Sequence, residues 1–265
     1  MAVVIGVTGL AFEARIAADL HTEAICGGDG STLAASIASA VAEDCSGLIS
    51  FGIAGGLSPD LPAGACIVAS TIISETIQLS TDRNWSQALL RLIPDSICGP
   101  IAGVTTVAMH TEAKRSLHMS TGALAVDNES HVAASVAAAH GLPMTAVRVI
   151  MDPAGRQLPA AALAAVRANG TIDLAALVRA IMKRPSELPM LLRTGLDALF
   201  GFAALLRCRQ LLGPGLGLPS LQACEPEPSS SIVYSECSLD ERNLRCPRYA
   251  ISQACSDGRE RSGVR

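Results

Sequence analysis

Residues 47–57 read GLISFGIAGGL. The first eight are apolar or small and uncharged, as suits a strand buried on both faces, and the Ala-Gly-Gly at its end (54–56) breaks it. Working outward, the same signature recurs. AVVIGVT (2–8) precedes the stretch, and ACIVASTII (65–73), IAGVTTVAM (101–109), GALAVD (122–127) and MTAVRVIM (144–151) follow it. Helical patterns fall between them at 11–20, at 82–92, at 111–119 and at 129–140, with an Ala-rich segment from an N-cap at Ser31 to Glu43. Strands interleaved with helices predict an α/β fold whose mixed central sheet is covered on both faces.

The character changes after the last strand. LPAAALAAV, IDLAALVRAIMKR and SELPMLLRTGLDALFGFAALLRCRQLL are helical patterns, and GPGLGLP (213–219) stops the last of them. Residues 220–265 hold four of the nine cysteines, EPEPSSS, mixed charges and no periodicity, which predicts disorder. The expected organisation is one domain over 1–212 and a Pro/Ser/Cys-containing tail over 213–265.

Composition narrows the function classes. In 265 residues, 49% are hydrophobic and only 3% aromatic, so the core is built from Ala, Val, Ile and Leu. A net charge of −4 supplies no basic field for nucleic acid. The cysteines form no C-x-x-C and no Cys/His pair at zinc spacing, so no metal is expected. MAVVIGVTGL is too short an apolar run for a signal peptide and has no basic start, which leaves a cytoplasmic location as the expectation. No run of 18 or more uncharged apolar residues predicts a membrane span. Leu188–Leu212 is apolar but carries Arg193, Asp197, Arg207 and Arg209. It reads either as a terminal helix packed on the core or as an interfacial helix in peripheral contact with a membrane.

Three segments carry candidate chemistry, each where a strand ends, which is where open α/β sheets bind ligands. In SFGIAGGL (50–57), Gly55 and Gly56 let the backbone approach a flat ligand, though a Gly-Gly pair also suits a plain tight turn. In AVDNESHVAA (125–134), Asp127 and Glu129 sit where a strand passes into a helix. They serve either as dipole and capping partners or, for Glu129, as an acceptor for sugar hydroxyls. In RVIMDPAGR (148–156), Asp152 ends an apolar strand before Pro153. It starts a turn, or it is a general acid whose pKa apolar neighbours raise.

Together with GLAFEARIA (9–17) and the terminal LLRCRQLLGPGLGL, these segments resemble the superfamily of purine nucleoside phosphorylases and methylthioadenosine/S-adenosylhomocysteine nucleosidases. The similarity is greatest to its hopanoid-associated phosphorylase branch. It covers roughly residues 2–212, and the tail resembles nothing. What the resemblance implies is a three-layer αβα sandwich and an enzyme, without a cofactor, that cleaves the N-glycosidic bond of a purine nucleoside. The implied substrate is adenosylhopane, a lipid-linked nucleoside that would release adenine, and the implied assembly is a homo-oligomer. Ala54, Gly55 and Gly56 would line the base and ribose site, Glu129 with Asn128 would meet the ribose hydroxyls, and Asp152 would protonate the purine N7. The chemistry is coherent: the sugar gains oxocarbenium character, which an anion stabilises, and the leaving base gains negative charge, which an acid neutralises.

The sequence departs from that pattern at two positions. Asn128 stands where the superfamily places a Met, and Met151 where it places a Ser before the acid. A catalytically silent relative that binds nucleosides or lipid is therefore the competing reading. The nucleophile stays open between phosphate and water. Gly9, Arg15 and Gly28 (in the turn before a helix start) are the phosphate-binding candidates. Glu13 lies near the position of the Glu that activates water in the hydrolytic relatives. None of the five histidines shows metal spacing, and only His131 lies near the proposed site.

Overall fold

The computed structural model describes residues 3–27, 30–41, 44–167 and 170–219. In chain order it contains β1 (Val3–Thr8), α1 (Ala11–Ala17), β2 (Thr22–Cys26), α2 (Gly30–Ala40), β3 (Cys45–Gly56), β4 (Cys66–Ile73), β5 (Gln78–Ser80) and α3 (Arg83–Leu92). There follow β6 (Ile97–Gly103), α4 (Thr111–Thr121), β7 (Ala125–Asp127), α5 (Ser130–His140), β8 (Met144–Asp152), α6 (Ala160–Ala164), α7 (Leu174–Lys183) and α8 (Leu188–Leu212).

The sheet is mixed, as expected, and part of it closes on itself. β8 runs parallel to β3 and antiparallel to β4, while the far end of β3 pairs antiparallel with β7. β7 runs parallel to β6, and β6 to β4, which completes a ring of five strands. β1 and β2 extend it from β3, and β5 from β4. A register shift between Ala54 and Gly55 lets β3 serve both β8 and β7.

Alternation along the strands separates two cores. Leu48 on β3, Ile67 on β4 and Ile150 on β8 point with Leu33, Ile37, Ala133 and Ala137 into the layer under α2 and α5. Ile49, Phe51, Val68 and Val147 point the other way, toward Ala17, Leu89, Leu205 and Leu212 of α1, α3 and α8. Helices thus cover both faces of the sheet.

Several boundaries differ from expectation. β2 and β5 are unanticipated, being a five-residue and a three-residue strand with little apolar pattern. The strand expected at 101–109 lies at 97–103 and includes Pro100, a residue that argues against a strand interior. Ser31 lies inside α2, which begins at Gly30. The domain does not stop at 212: Leu216 and Leu218 are buried in the second core, and the indole Nε1 of Trp85 donates to Leu216 O at 3.1 Å. The disorder expected of residues 220–265 concerns chain outside the described residues, as does Gly28.

Candidate active site

α1, β7 and the start of α5 bring three anionic side chains, Glu13, Asp127 and Glu129, around Arg148 of β8. Arg148 sits in the middle of β8 and is fully buried. Its Nε lies 2.6 Å from Asp127 Oδ2, and its Nη2 lies 3.1 Å from Glu129 Oε2. Nη2 also donates to Ser50 Oγ at 2.5 Å, and Nη1 to the carbonyl of Ile53 at 3.3 Å. Ser130 Oγ rests against Asp127 and lies 3.0 Å from Ser50 Oγ. A buried guanidinium demands such partners, because unpaired it would be far too costly.

The two carboxylates of the 125–134 segment divide the roles that the sequence leaves open. Asp127 Oδ1 accepts from the backbone N–H of Ser130 at 2.9 Å and of Glu129 at 3.2 Å, so it caps α5 while its other oxygen faces Arg148. Glu129 makes no cap bond and keeps its side chain 18% exposed. Burial raises its pKa, Arg148 opposes that, and Asp127 and Glu13 reinforce it, leaving the group pushed up to about 7. Gly9 lies directly against this carboxylate, since a Cβ there would stand 2.7 Å from Glu129 Oε1. Asn128 is half-buried beside it.

Glu13 is buried, and both its oxygens are engaged. Oε2 accepts from the amides of Gly9 (2.9 Å) and Leu10 (2.8 Å), and Oε1 from Ile53 N at 2.7 Å. Burial raises its pKa, while Arg148 and these three amides pull it down. It ties the β1–α1 loop to β3 and presents no exposed edge to the cleft. Gly52 makes room for it: a Cβ there would meet Glu13 Oε1 at 2.6 Å and Arg148 Nη1 at 2.8 Å.

The second centre lies further along β3, at Gly55. Gly55 is in register with Asp152, and a Cβ on it would come within 3.3 Å of Asp152 Oδ1. Gly56 abuts Pro153, whereas the methyl group of Ala54 packs into the core. Asp152 is 15% exposed and forms a 2.5 Å ion pair with Lys114 Nζ of α4. That fully buried ammonium also lies 3.0, 3.2 and 3.1 Å from the carbonyl oxygens of Asp152, Pro153 and Arg156. Burial raises the pKa of Asp152, and Lys114 works against it. Met151, the residue before the acid, lies toward Gly201 of α8, so Lys114 orients the carboxyl instead.

Of the phosphate candidates, Gly9 and Arg15 lie among the described residues, and they do not form an anion site together. The Gly9 amide is consumed by Glu13, and Arg15 is exposed in the last turn of α1. Among the described residues no group of three or more His, Cys, Asp or Glu is placed to hold a metal. His131, on α5, has its pKa lowered by burial, with Asp127 opposing, and its buried Nδ1 has no partner among the described residues. Two site residues escape the sequence reading. Arg148 had a signal, a lone charge inside an apolar strand. Lys114, in a polar helix, had none.

A model of the family described as "Phosphorylase superfamily" matches residues 21–183. The fold is similar to that of 5′-methylthioadenosine/S-adenosylhomocysteine nucleosidase from Helicobacter pylori in complex with butyl-thio-DADMe-Immucillin-A. There the TM-score is 0.56 and the identity 15%, over 82% of this chain and 99% of that one. The corresponding nucleosidase of Campylobacter jejuni gives 0.52 and 14%, over 78% and 100%. A Helicobacter pylori mutant with 5′-methylthioadenosine in its active site gives 0.51 and 17%, over 58% and 87%. At these identities the likeness shows the fold. No curated protein matches the sequence.

Proposed function

The chain belongs to the phosphorylase superfamily, and from that premise we propose that it hydrolyses the N-glycosidic bond of a purine nucleoside. The observation that carries the reading is the pair of partly exposed carboxylates, Glu129 braced by Arg148 and Asp152 braced by Lys114. On this reading the ribose sits at Glu129 and the base at Asp152. Glu129 accepts hydrogen bonds from the ribose diol and favours positive charge on the sugar as the bond stretches. Asp152, protonated in the productive complex, delivers its proton to N7 as the base departs. Water adds at C1′, and its proton passes to the carboxylate cluster.

Electrostatics favour water over phosphate. Glu13, Asp127 and Glu129 surround the single guanidinium of Arg148, so an incoming phosphate dianion meets excess negative charge. The amides at the start of α1, the ordinary anion site of such a loop, are already taken by Glu13.

The finer reading rests on the resemblance to the hopanoid-associated branch: a cytoplasmic enzyme, assembled as a homo-oligomer, that removes adenine from adenosylhopane. The competing reading, a silent nucleoside-binding relative, draws on the Lys114–Asp152 pair, in which the ammonium opposes protonation of the acid. Adenine release from adenosine with and without added phosphate decides among them. Release independent of phosphate is expected. Strict dependence on phosphate overturns hydrolysis, and tight binding without release establishes the silent module.

A further inference from the structure

Helix α8 is apolar on two opposite sides. Ala198, Gly201, Leu205, Cys208 and Leu212 face the sheet and are buried. The contact is close: a Cβ on Gly201 would lie 3.5 Å from the carbonyl oxygen of Ile150. On the far side Leu188, Leu192, Leu196, Leu199 and Leu206 recur at helical spacing and stay exposed, Leu192 at 65% and Leu199 at 64%. One short turn earlier, α7 repeats the pattern with Leu174, Val178 and Met182, spaced four apart and exposed. A helix apolar all round is normally sandwiched between two layers. Here, among the described residues, one layer is present.

The charges around this face say what the other layer is. Residues 174–212 hold six basic and two acidic residues, in a chain whose net charge is −4. Arg179, Lys183, Arg193 and Arg207 each follow an exposed apolar residue by one position, and all four are exposed. Among the described residues none of them forms an ion pair, whereas Arg184 and Arg209 pair with Glu187 and Asp19. A second copy meeting this face in a two-fold interface would set these cations against themselves, because such an interface must be self-complementary.

We propose that the outer face of α8, with the adjoining α7, docks on an anionic lipid surface. The leucines enter the boundary between headgroups and acyl chains, and the four free cations meet lipid headgroups. By length and composition the segment Pro185–Leu212 would suffice to cross a membrane, yet its other side is fixed to β8, so it lies along the surface. The groove beside the Asp152 loop, about 770 Å³, is lined by Pro153, Gly155 and Arg156 on one side and by Arg193 and Phe200 on the other. Docking therefore brings the rim of the candidate active site to the lipid surface.

Co-sedimentation of the full chain with vesicles tests this, read beside adenine release and sedimentation velocity. Vesicles containing phosphatidylglycerol should carry the protein down at low ionic strength, and pure phosphatidylcholine vesicles far less. Leu192→Glu with Leu199→Glu should cut partitioning by about tenfold or more. Each of Arg179→Gln, Lys183→Gln and Arg207→Gln should cut it about fivefold. All these positions are exposed, so melting temperature and adenosine cleavage should hold. No binding to the anionic vesicles overturns the proposal, as does equal binding by the double variant. A dimer that the double variant alone dissociates also overturns it and assigns the face to a second copy.

Discussion

At Asp152 two forces oppose each other. Burial favours the neutral acid, and the Lys114 ammonium at 2.5 Å favours the anion. A general acid at this position contributes about 10²–10⁴-fold to rate. Asp152→Asn should therefore cost that much with adenine as leaving group, and much less with p-nitrophenol, which departs without protonation. Equal losses on the two ribosides would leave Asp152 a turn residue. Replacing Lys114 with Met removes the opposing charge, so the pKa of Asp152 rises and the alkaline limb of kcat against pH moves upward. A limb that stays in place would detach Lys114 from the acid. Glu129 governs the other limb. If its ionised form holds the diol, kcat rises through about pH 7, and Glu129→Gln lowers kcat and flattens that rise. Stability has the opposite sign. A carboxyl whose pKa is higher folded than unfolded stabilises the fold in acid and loses that contribution as pH climbs through about 7. Glu129→Gln should remove that slope from thermal melts.

At the scale of the element, β8 shows how far a sequence carries. TAVRVIM reads as an apolar strand, and its single Arg implies buried partners. Which carboxylates supply them depends on β3, β7 and the β1–α1 loop converging, and no local pattern encodes that. The same holds for Asp127 and Glu129. Both are visible as strand-end acids, but only the geometry assigns one to capping α5 and leaves the other partly exposed. Strands dense in β-branched residues, such as β1, β4 and β8, are legible. Those stabilised mainly by their neighbours, β2 and β5, are not, and Pro100 disguises β6. Arg148→Met should leave Glu13, Asp127 and Glu129 facing one another without a counter-charge. Breaking such a buried pair costs about 3–5 kcal/mol. The loss should be larger above neutrality than in acid, where Glu13 and Glu129, with their raised pKa values, take up protons. A melting temperature that falls equally at both ends of the range would mean that Arg148 matters for its packing alone.

For the whole molecule, the layers follow from the sequence but the end of the domain does not. GPGLGLP has the composition of a helix stop, so it reads as the beginning of a tail. In the structure this segment returns to the domain. Leu216 adopts a left-handed backbone (φ 49°) with its side chain fully buried, and Gly217 (φ 73°) packs against Leu89 and Leu212. Trp85, the only tryptophan of the chain, is closed over by this return and donates its indole N–H to it. Removing residues 213–265 therefore strips Leu216 and Leu218 from the second core and leaves the indole donor without its acceptor. Each lost core leucine costs about 2–5 kcal/mol, and the orphaned donor about 1–3 kcal/mol. Removing only 220–265 spares these contacts. Thermal melts of the two truncations beside the full chain, followed by the fluorescence of Trp85, separate the cases. The shorter chain should melt far lower with a red-shifted emission, while the chain ending at Pro219 should match the full length in both. If the two truncations melt together, the return of 213–219 contributes nothing, and the boundary belongs at residue 212 after all.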